Sequence, residues 1–285
     1  MASPAQAPPS QPADPPRRKL GLAGRLIAVV AVLGLGTVGV LVLTRATAPP
    51  TELSAADIPA LQVKPAPVQP DTAVPAVLTA ADPVSTAPTT LTDWAQKVSA
   101  ATGIPEPAAW AYGNAELATR ANDPGCRLSW ATLAGIGRVE SDNGQFAGAS
   151  LRPNGEETKP IIGVPLDGTG GNADIPDTDN GALDGDPVYD HAVGPMQFLP
   201  QTWHEYGQDA MGTATPDPEN INDAALTAAK YLCADGRDLS TPVGWWSAIM
   251  SYNDSIDYVQ KVFGVADNYA RQALAALGGA PGASH

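Results

Sequence analysis

The stretch Ser-Trp-Ala-Thr-Leu-Ala-Gly-Ile-Gly-Arg-Val-Glu-Ser-Asp-Asn-Gly, residues 129–144, indicates both the fold class and the candidate chemistry of this chain. Ser129 can cap a helix that runs to Glu140, because a serine hydroxyl accepts a hydrogen bond from a free N–H in the first turn. Leu133, Ile136 and Glu140 share one face of that helix. The carboxyl of Glu140 is therefore expected on the apolar side of the helix.

Glu140 is the candidate proton donor. A desolvated carboxyl has a raised pKa, which suits it to give up a proton near neutral pH. The sequence after it, residues 141–144, breaks the helix and places Glu140 at the end of an element. The alternative is a structural carboxylate paired with Arg138 or Arg127.

Further helices are predicted on both sides of this stretch, and no sustained alternation of apolar and polar residues indicates a large sheet. The predicted helices span 93–101, 105–121, 130–140, 223–233 and 242–252, with Thr92, Ser129, Asn222 and Thr241 as caps. Residues 141–191 are rich in Gly, Asp, Asn and Pro and predict a long loop. The expected class is mainly α, in a domain that spans 91–275.

The N-terminal region predicts export. Residues 1–25 form a basic leader, and 26–44 are apolar or small and long enough to cross a bilayer. Because positive charge precedes this segment, residues 1–25 are expected in the cytoplasm and the rest outside the membrane. The segment is either a permanent signal anchor or a signal peptide cleaved after Ala48.

Residues 45–90 are dominated by Pro, Ala and Thr and predict a linker without regular structure. If residues 47–90 were fully extended as polyproline II, they would reach on the order of 130 Å. The last residues, 276–285, are expected to form a flexible tail.

The chain has two cysteines, Cys126 and Cys233, and both lie in the predicted domain. Because the domain is expected outside the cytoplasm, a disulfide between them is the default expectation. From Leu91 onward, 25 acidic side chains accompany 10 basic ones. Such a charge argues against nucleic acid or an anionic membrane surface as a partner of the domain.

The acidic segment Asp177–Asp186 partly matches a calcium loop, since carboxylates alternate before a glycine. The match lacks a third acidic position and a glutamate at the twelfth place. A solvated turn region is the favoured reading, and no cofactor is expected. Zinc is not indicated, because the spacing of His191, His204 and His285 fits no zinc motif.

Three motifs in order resemble the lytic murein transglycosylases of the membrane-bound B type, most closely those of actinobacteria. They are Gly-Arg-Val-Glu-Ser at 137–141, Gly-Pro-Met-Gln-Phe-Leu-Pro-Gln-Thr-Trp at 194–203, and Ser-Tyr-Asn-Asp-Ser at 251–255. The resemblance extends over about residues 91–270. Asp142-Asn143 stand where many of these enzymes carry Asn-His.

The resemblance implies a lysozyme-like fold that cuts the β-1,4 bond between N-acetylmuramic acid and N-acetylglucosamine in peptidoglycan. It implies that Glu140 acts as the single acid and base, and that the muramyl 6-hydroxyl attacks to leave a 1,6-anhydro end. The glycan cleft or the orientation of the acid would involve Ser141, Gln197, Tyr252 and Asn253. A single acid also agrees with the sequence, because Glu140 has no evident carboxylate partner on its own helix face.

Two alternatives remain from the sequence. A muramidase of the same fold would admit water and hydrolyse the same bond, and a wall-binding scaffold would keep the fold without activity. Structural roles are also open for two of the named residues, since Gln197 can satisfy loop backbone and Tyr252 can belong to the core.

Overall fold

The computed structural model describes residues 63–74 and 90–278. The predicted leader, the predicted membrane segment and most of the predicted tail lie outside these residues. Among the described residues, no helix combines the length and apolar character needed to cross a membrane.

The described part of the chain is mainly helical, as predicted. Its α-helices are α1 (Leu91–Thr102), α2 (Glu106–Asn122), α3 (Trp130–Ser141), α4 (Pro200–Tyr206), α5 (Ile221–Leu232), α6 (Pro242–Tyr252) and α7 (Ile256–Ala276). Short 3₁₀ turns at Phe146–Gly148 and Ala234–Gly236 complete the set. Pairing between extended segments is limited, within the described ranges, to isolated bridges.

The caps show where the sequence interpretation was accurate. Ser129 and Thr241 cap α3 and α6 as predicted. The caps of α1 and α5 are Thr90 and Asn220, each two residues before the predicted cap. Helices α4 and α7 were not predicted, although Ser255 caps α7 through the backbone N–H of Tyr258.

Helix α3 is the central helix, and every residue in it except Arg138 is buried. Gly135 permits the close approach of α7, because a Cβ at this position would lie 2.9 Å from the carbonyl oxygen of Val262. On another side, the rings of Trp94 and Trp130 pack edge to face with centroids 5.2 Å apart. Burial on all sides explains why α3 carries no polar face before its last turn.

The predicted disulfide is present and links Cys126 to Cys233, with Cα atoms 5.4 Å apart. It joins the turn before α3 to the end of α5. A closed loop of this length typically stabilises a domain by about 2–4 kcal/mol.

Residues 63–74, which form neither helix nor strand, lie against α6 and α7, and this segment is called the strap below. Ala66 donates its N–H to the carbonyl of Gln260 (3.3 Å), and the Gln260 amide donates to the carbonyl of Val68 (3.0 Å). The indole of Trp246 donates to the carbonyl of Thr72. The strap has no helix or strand, as the composition of 45–90 predicts, but side chains and backbone of α6 and α7 bind its carbonyls and one of its N–H groups.

Candidate active site

Glu140 lies in the last turn of α3 and is only 5 % exposed. Burial raises the pKa of its carboxyl from the ordinary 4.5 to about 7, and the hydrogen bond from Tyr258 counteracts part of that rise. The phenol of Tyr258, on α7, donates this bond to Oε1. Such a carboxyl exchanges its proton near neutral pH.

The alternative of an ion-paired Glu140 is wrong. Arg138 pairs with Asp142, and Arg127 pairs with Asp238. Both arginines are therefore engaged elsewhere, and Glu140 has a phenol as its hydrogen-bond partner.

Ser141 is fully buried and connects α3 to the second motif. Its hydroxyl donates to the carbonyl of Pro195 (2.6 Å) and accepts the N–H of Gly144 (2.8 Å). The side chain thus fixes the end of α3 against the segment that carries Gln197. Its contact with a sugar stays a prediction.

Gln197 is 8 % exposed and adopts a left-handed backbone conformation with φ of 50°. Its amide nitrogen donates to the carbonyls of Ile161 (3.1 Å) and Gly194 (2.9 Å), as a structural amide would. Its Oε1 is buried without a hydrogen-bond partner in the described residues. An acceptor left in this state costs about 1–3 kcal/mol, so a water or a ligand hydroxyl is the expected donor.

Burial, and after it the charge of Glu140, raise the pKa of the Tyr252 phenol well above its ordinary value. Its hydroxyl donates to the carbonyl of Met196 (2.7 Å), which joins the third motif to the second. Asn253 ends α6, and its backbone N–H donates to Ile249 (3.0 Å). The described contacts do not bring the Asn253 side chain to Glu140.

Residues of all three motifs therefore converge on one region at the end of α3. Tyr258 was missed by the sequence interpretation because α7 was not predicted. The signal was available, since a serine cap at 255 followed by apolar residues at helical spacing indicates a helix with Tyr258 in its first turn.

Asn143 is one of the two residues that differ from the Asn-His of many similar enzymes, and its side chain has a structural role. It is 1 % exposed, accepts a hydrogen bond from the phenol of Tyr112 (3.0 Å) and donates to that of Tyr269 (3.3 Å). With a φ of 57° it continues the left-handed turn that ends α3. An asparagine tolerates this conformation better than most residues.

No hydrogen bond or ion pair of the described residues joins Glu140 to a second carboxylate. The nearest sequence candidate, Asp190, is fully buried and accepts two hydrogen bonds from Thr178, at 2.8 and 2.7 Å. It is thereby fixed inside the long loop.

The acidic segment Asp177–Asp186 folds as turns stabilised by its own carboxylates. Asp177 and Asp179 accept backbone N–H groups of residues 179–183. Oxygens of Asp177, Asp179 and Asp190 lie within 4.8 Å of one another and are the group in this loop that could hold a cation. Asp184 and Asp186 do not belong to this group.

Comparison of the chain with family models, with curated proteins and with solved structures gives no match.

Proposed function

We propose that the protein is an exported peptidoglycan lytic transglycosylase with a lysozyme-like catalytic domain, in which Glu140 is the acid and the base. The observation that carries the proposal is the state of Glu140, a buried carboxyl with a pKa of about 7 and a phenol as its hydrogen-bond partner. The convergence of the three motifs that resemble this class of enzyme on the same region supports it further.

The chemistry follows from the two oxygens of Glu140. Oε1 accepts the phenol proton of Tyr258, so Oε2 would carry the acidic proton towards the substrate. Oε2 gives this proton to the glycosidic oxygen as the bond from C1 of the muramyl residue breaks. The resulting carboxylate then takes the proton of the 6-hydroxyl while that oxygen attacks C1. The product is a 1,6-anhydro end, and no water is consumed.

Isolation of Glu140 favours this route over one with two carboxylates. Retaining and inverting glycosidases place a second carboxylate about 5–9.5 Å from the acid. Among the described residues, the side chain that binds the Glu140 carboxyl is the phenol of Tyr258 and not a second carboxylate. Assistance by the N-acetyl group of the substrate would stabilise the positive charge that develops at C1. Gln197, with its unsatisfied Oε1, would accept a hydrogen bond from a sugar hydroxyl.

The proposal includes the location of the enzyme. An N-terminal anchor or a cleaved signal peptide would bring the domain outside the cytoplasmic membrane, where the disulfide is stable. The partners would be glycan strands, and the membrane through the N-terminal segment. Nucleic acid is not among the proposed partners.

Mass spectrometry of muropeptides released from purified peptidoglycan by the full chain tests the proposal. We expect anhydromuramyl products from the parent protein and a decrease of about 10²–10⁴-fold for Glu140→Gln, the range for loss of a general acid. Glu205→Gln is the control, because it makes the same change at an exposed carboxyl on α4.

Other products would decide between the alternatives. Reducing ends in place of anhydro ends would make the protein a muramidase. Binding to peptidoglycan without release of muropeptides by the parent protein would make it a scaffold.

A further inference from the structure

A cavity of about 510 Å³ opens beside the first turn of α2, outside the site described above. Trp110 forms one side of it, and Met211, which is 44 % exposed, lies at its rim. The loop after the Phe146–Gly148 turn and the start of α5 close the other sides. The lining residues used below are Glu106, Trp110, Leu151, Asn154, Met211 and Asn222.

The cavity adjoins the candidate active site through one packed contact. Leu151 lies against Gly144, where an added Cβ would come within 2.8 Å of the leucine side chain. Gly144 in turn donates its N–H to the hydroxyl of Ser141, the neighbour of Glu140. Leu151 and Gly144 thus connect the lining of the cavity to the turn that follows Glu140.

The polar groups of the cavity are oriented before any ligand binds. The Asn222 amide nitrogen donates to the carbonyl of Asn154 (3.1 Å) and to Asn220 Oδ1 (2.9 Å). Both of its hydrogens are thus used, and no donor in the described residues contacts its Oδ1. The Trp110 indole N–H also has no acceptor within the described part of the chain. The cavity therefore presents an aromatic face, a fixed acceptor and a donor.

The lining selects among ligand classes. No lysine or arginine lines the cavity, so phosphate groups and nucleic acid lack their usual partners. Glu106 and two asparagines make it too polar for a lipid chain. A sugar ring fits, because its C–H face packs on an indole while its hydroxyl and acetamido groups bind side-chain amides.

We propose that this cavity binds an N-acetylated sugar of the glycan strand at a distance from the bond that is cut. The inference rests on the proposed function and deepens it, since it gives the enzyme a second contact with its polymer. A chain held at both points would stay on the enzyme after the cut. Substrates too short to reach the cavity would lose this contact.

The test measures binding separately from cleavage. Calorimetry with chitotetraose, an oligomer of N-acetylglucosamine, is performed on full-chain Glu140→Gln with and without Trp110→Ala. We expect Trp110→Ala to raise the Kd at least 10-fold and Trp110→Phe, which keeps an aromatic face, to raise it less. Met211→Glu alters only the exposed rim, so it tests the cavity if Trp110→Ala does not fold.

Two results would overturn the inference. One is a Kd that none of these variants changes, and the other is competition for the cavity by a stem tetrapeptide but not by the sugar. Failure of the proposed function would appear differently, as absence of muropeptide release by the parent protein while Trp110-dependent sugar binding persists.

Discussion

Two buried glutamates in this protein have opposite surroundings. Glu140, in the last turn of α3, has a phenol as its hydrogen-bond donor and a pKa of about 7. Glu157, in the long loop, is 6 % exposed, and neither of its carboxyl oxygens has a partner at hydrogen-bonding distance. Burial, together with the neighbouring carboxylate of Glu219, raises its pKa to about 10.

The difference shows that burial alone does not make a carboxyl useful as an acid. A single donor keeps the pKa of Glu140 in the range where it both loses and regains a proton at neutral pH. An acidic neighbour has the contrary effect on Glu157, which keeps its proton throughout the physiological range. Glu219 meanwhile accepts the N–H of Ile161 (3.0 Å), and the carbonyl of Ile161 accepts from Gln197. Glu219 therefore supports the candidate site residue Gln197 through the backbone of Ile161.

Tyr258→Phe should produce the largest effect, because it removes the one feature that separates Glu140 from Glu157. Hydrogen bonds to charged groups contribute about 1.5–3 kcal/mol, so we expect activity at pH 6 to fall roughly 10- to 100-fold. The bond lowers the pKa of Glu140, so its loss should move the alkaline limit of kcat/KM to higher pH. A pH–rate profile of muropeptide release measures both changes.

Tyr269→Phe is the matched control, since it removes another buried phenol from the same helix. An alkaline limit that shifts equally in both variants would mean that Tyr258 does not set the pKa of Glu140.

Glu157→Gln should change the pH dependence of stability. A folded pKa above the ordinary 4.5 gives stability that is complete below 4.5 and is lost as the pH rises to the folded pKa. For Glu140 this loss ends near pH 7, whereas for Glu157 it continues towards pH 10. We therefore expect Glu157→Gln to be more stable at pH 9, relative to its stability at pH 5, than the parent protein is, since an amide has no proton to lose.

Urea denaturation between pH 5 and pH 9 measures this difference. Glu140→Gln, by contrast, should flatten the pH dependence only below pH 7. Parallel curves for the parent and Glu157→Gln above pH 7 would contradict the assignment of the raised pKa.

Glu219→Gln should give the smallest effect. A glutamine oxygen can still accept the N–H of Ile161, but the charge that raises the pKa of Glu157 is removed. We expect the loss of stability with rising pH to end at a lower pH than in the parent protein, with a change of less than about 1 kcal/mol at pH 7. The same denaturation series detects it. A change larger than that of Glu157→Gln would show that the bond to Ile161, and not the charge, is the main contribution.

The sequence predicted those parts of the fold that depend on local signals. Ser129 and Thr241 were identified as caps because each precedes an apolar helical pattern, and the Cys126–Cys233 disulfide followed from export and pairing. Helix α7 was missed although it contacts Glu140. The long loop could only be predicted as irregular, because its turns depend on carboxylates such as Asp177 that accept N–H groups a few residues away.

For the site, the sequence indicated the burial of Glu140, since helical spacing alone places it on the apolar face. The sequence could not indicate which side chain donates a hydrogen bond to Glu140. Tyr258 is 118 residues away along the chain and reaches Glu140 only because Gly135 lets α7 pack closely on α3. The proximity of Glu157 and Glu219 could not be predicted either. It arises from pairing between two loops that are distant along the chain, at residues 156 and 220.

The strap shortens the chain that is free between the domain and the predicted membrane segment. Because residues 63–74 are bound to α6 and α7, residues 45–62 would form the tether of a domain anchored as proposed. Eighteen residues extended as polyproline II span about 56 Å, less than half the reach expected for the whole proline-rich stretch. The docking of twelve residues on Gln260 and Trp246 would thus keep the anchored domain close to the membrane surface.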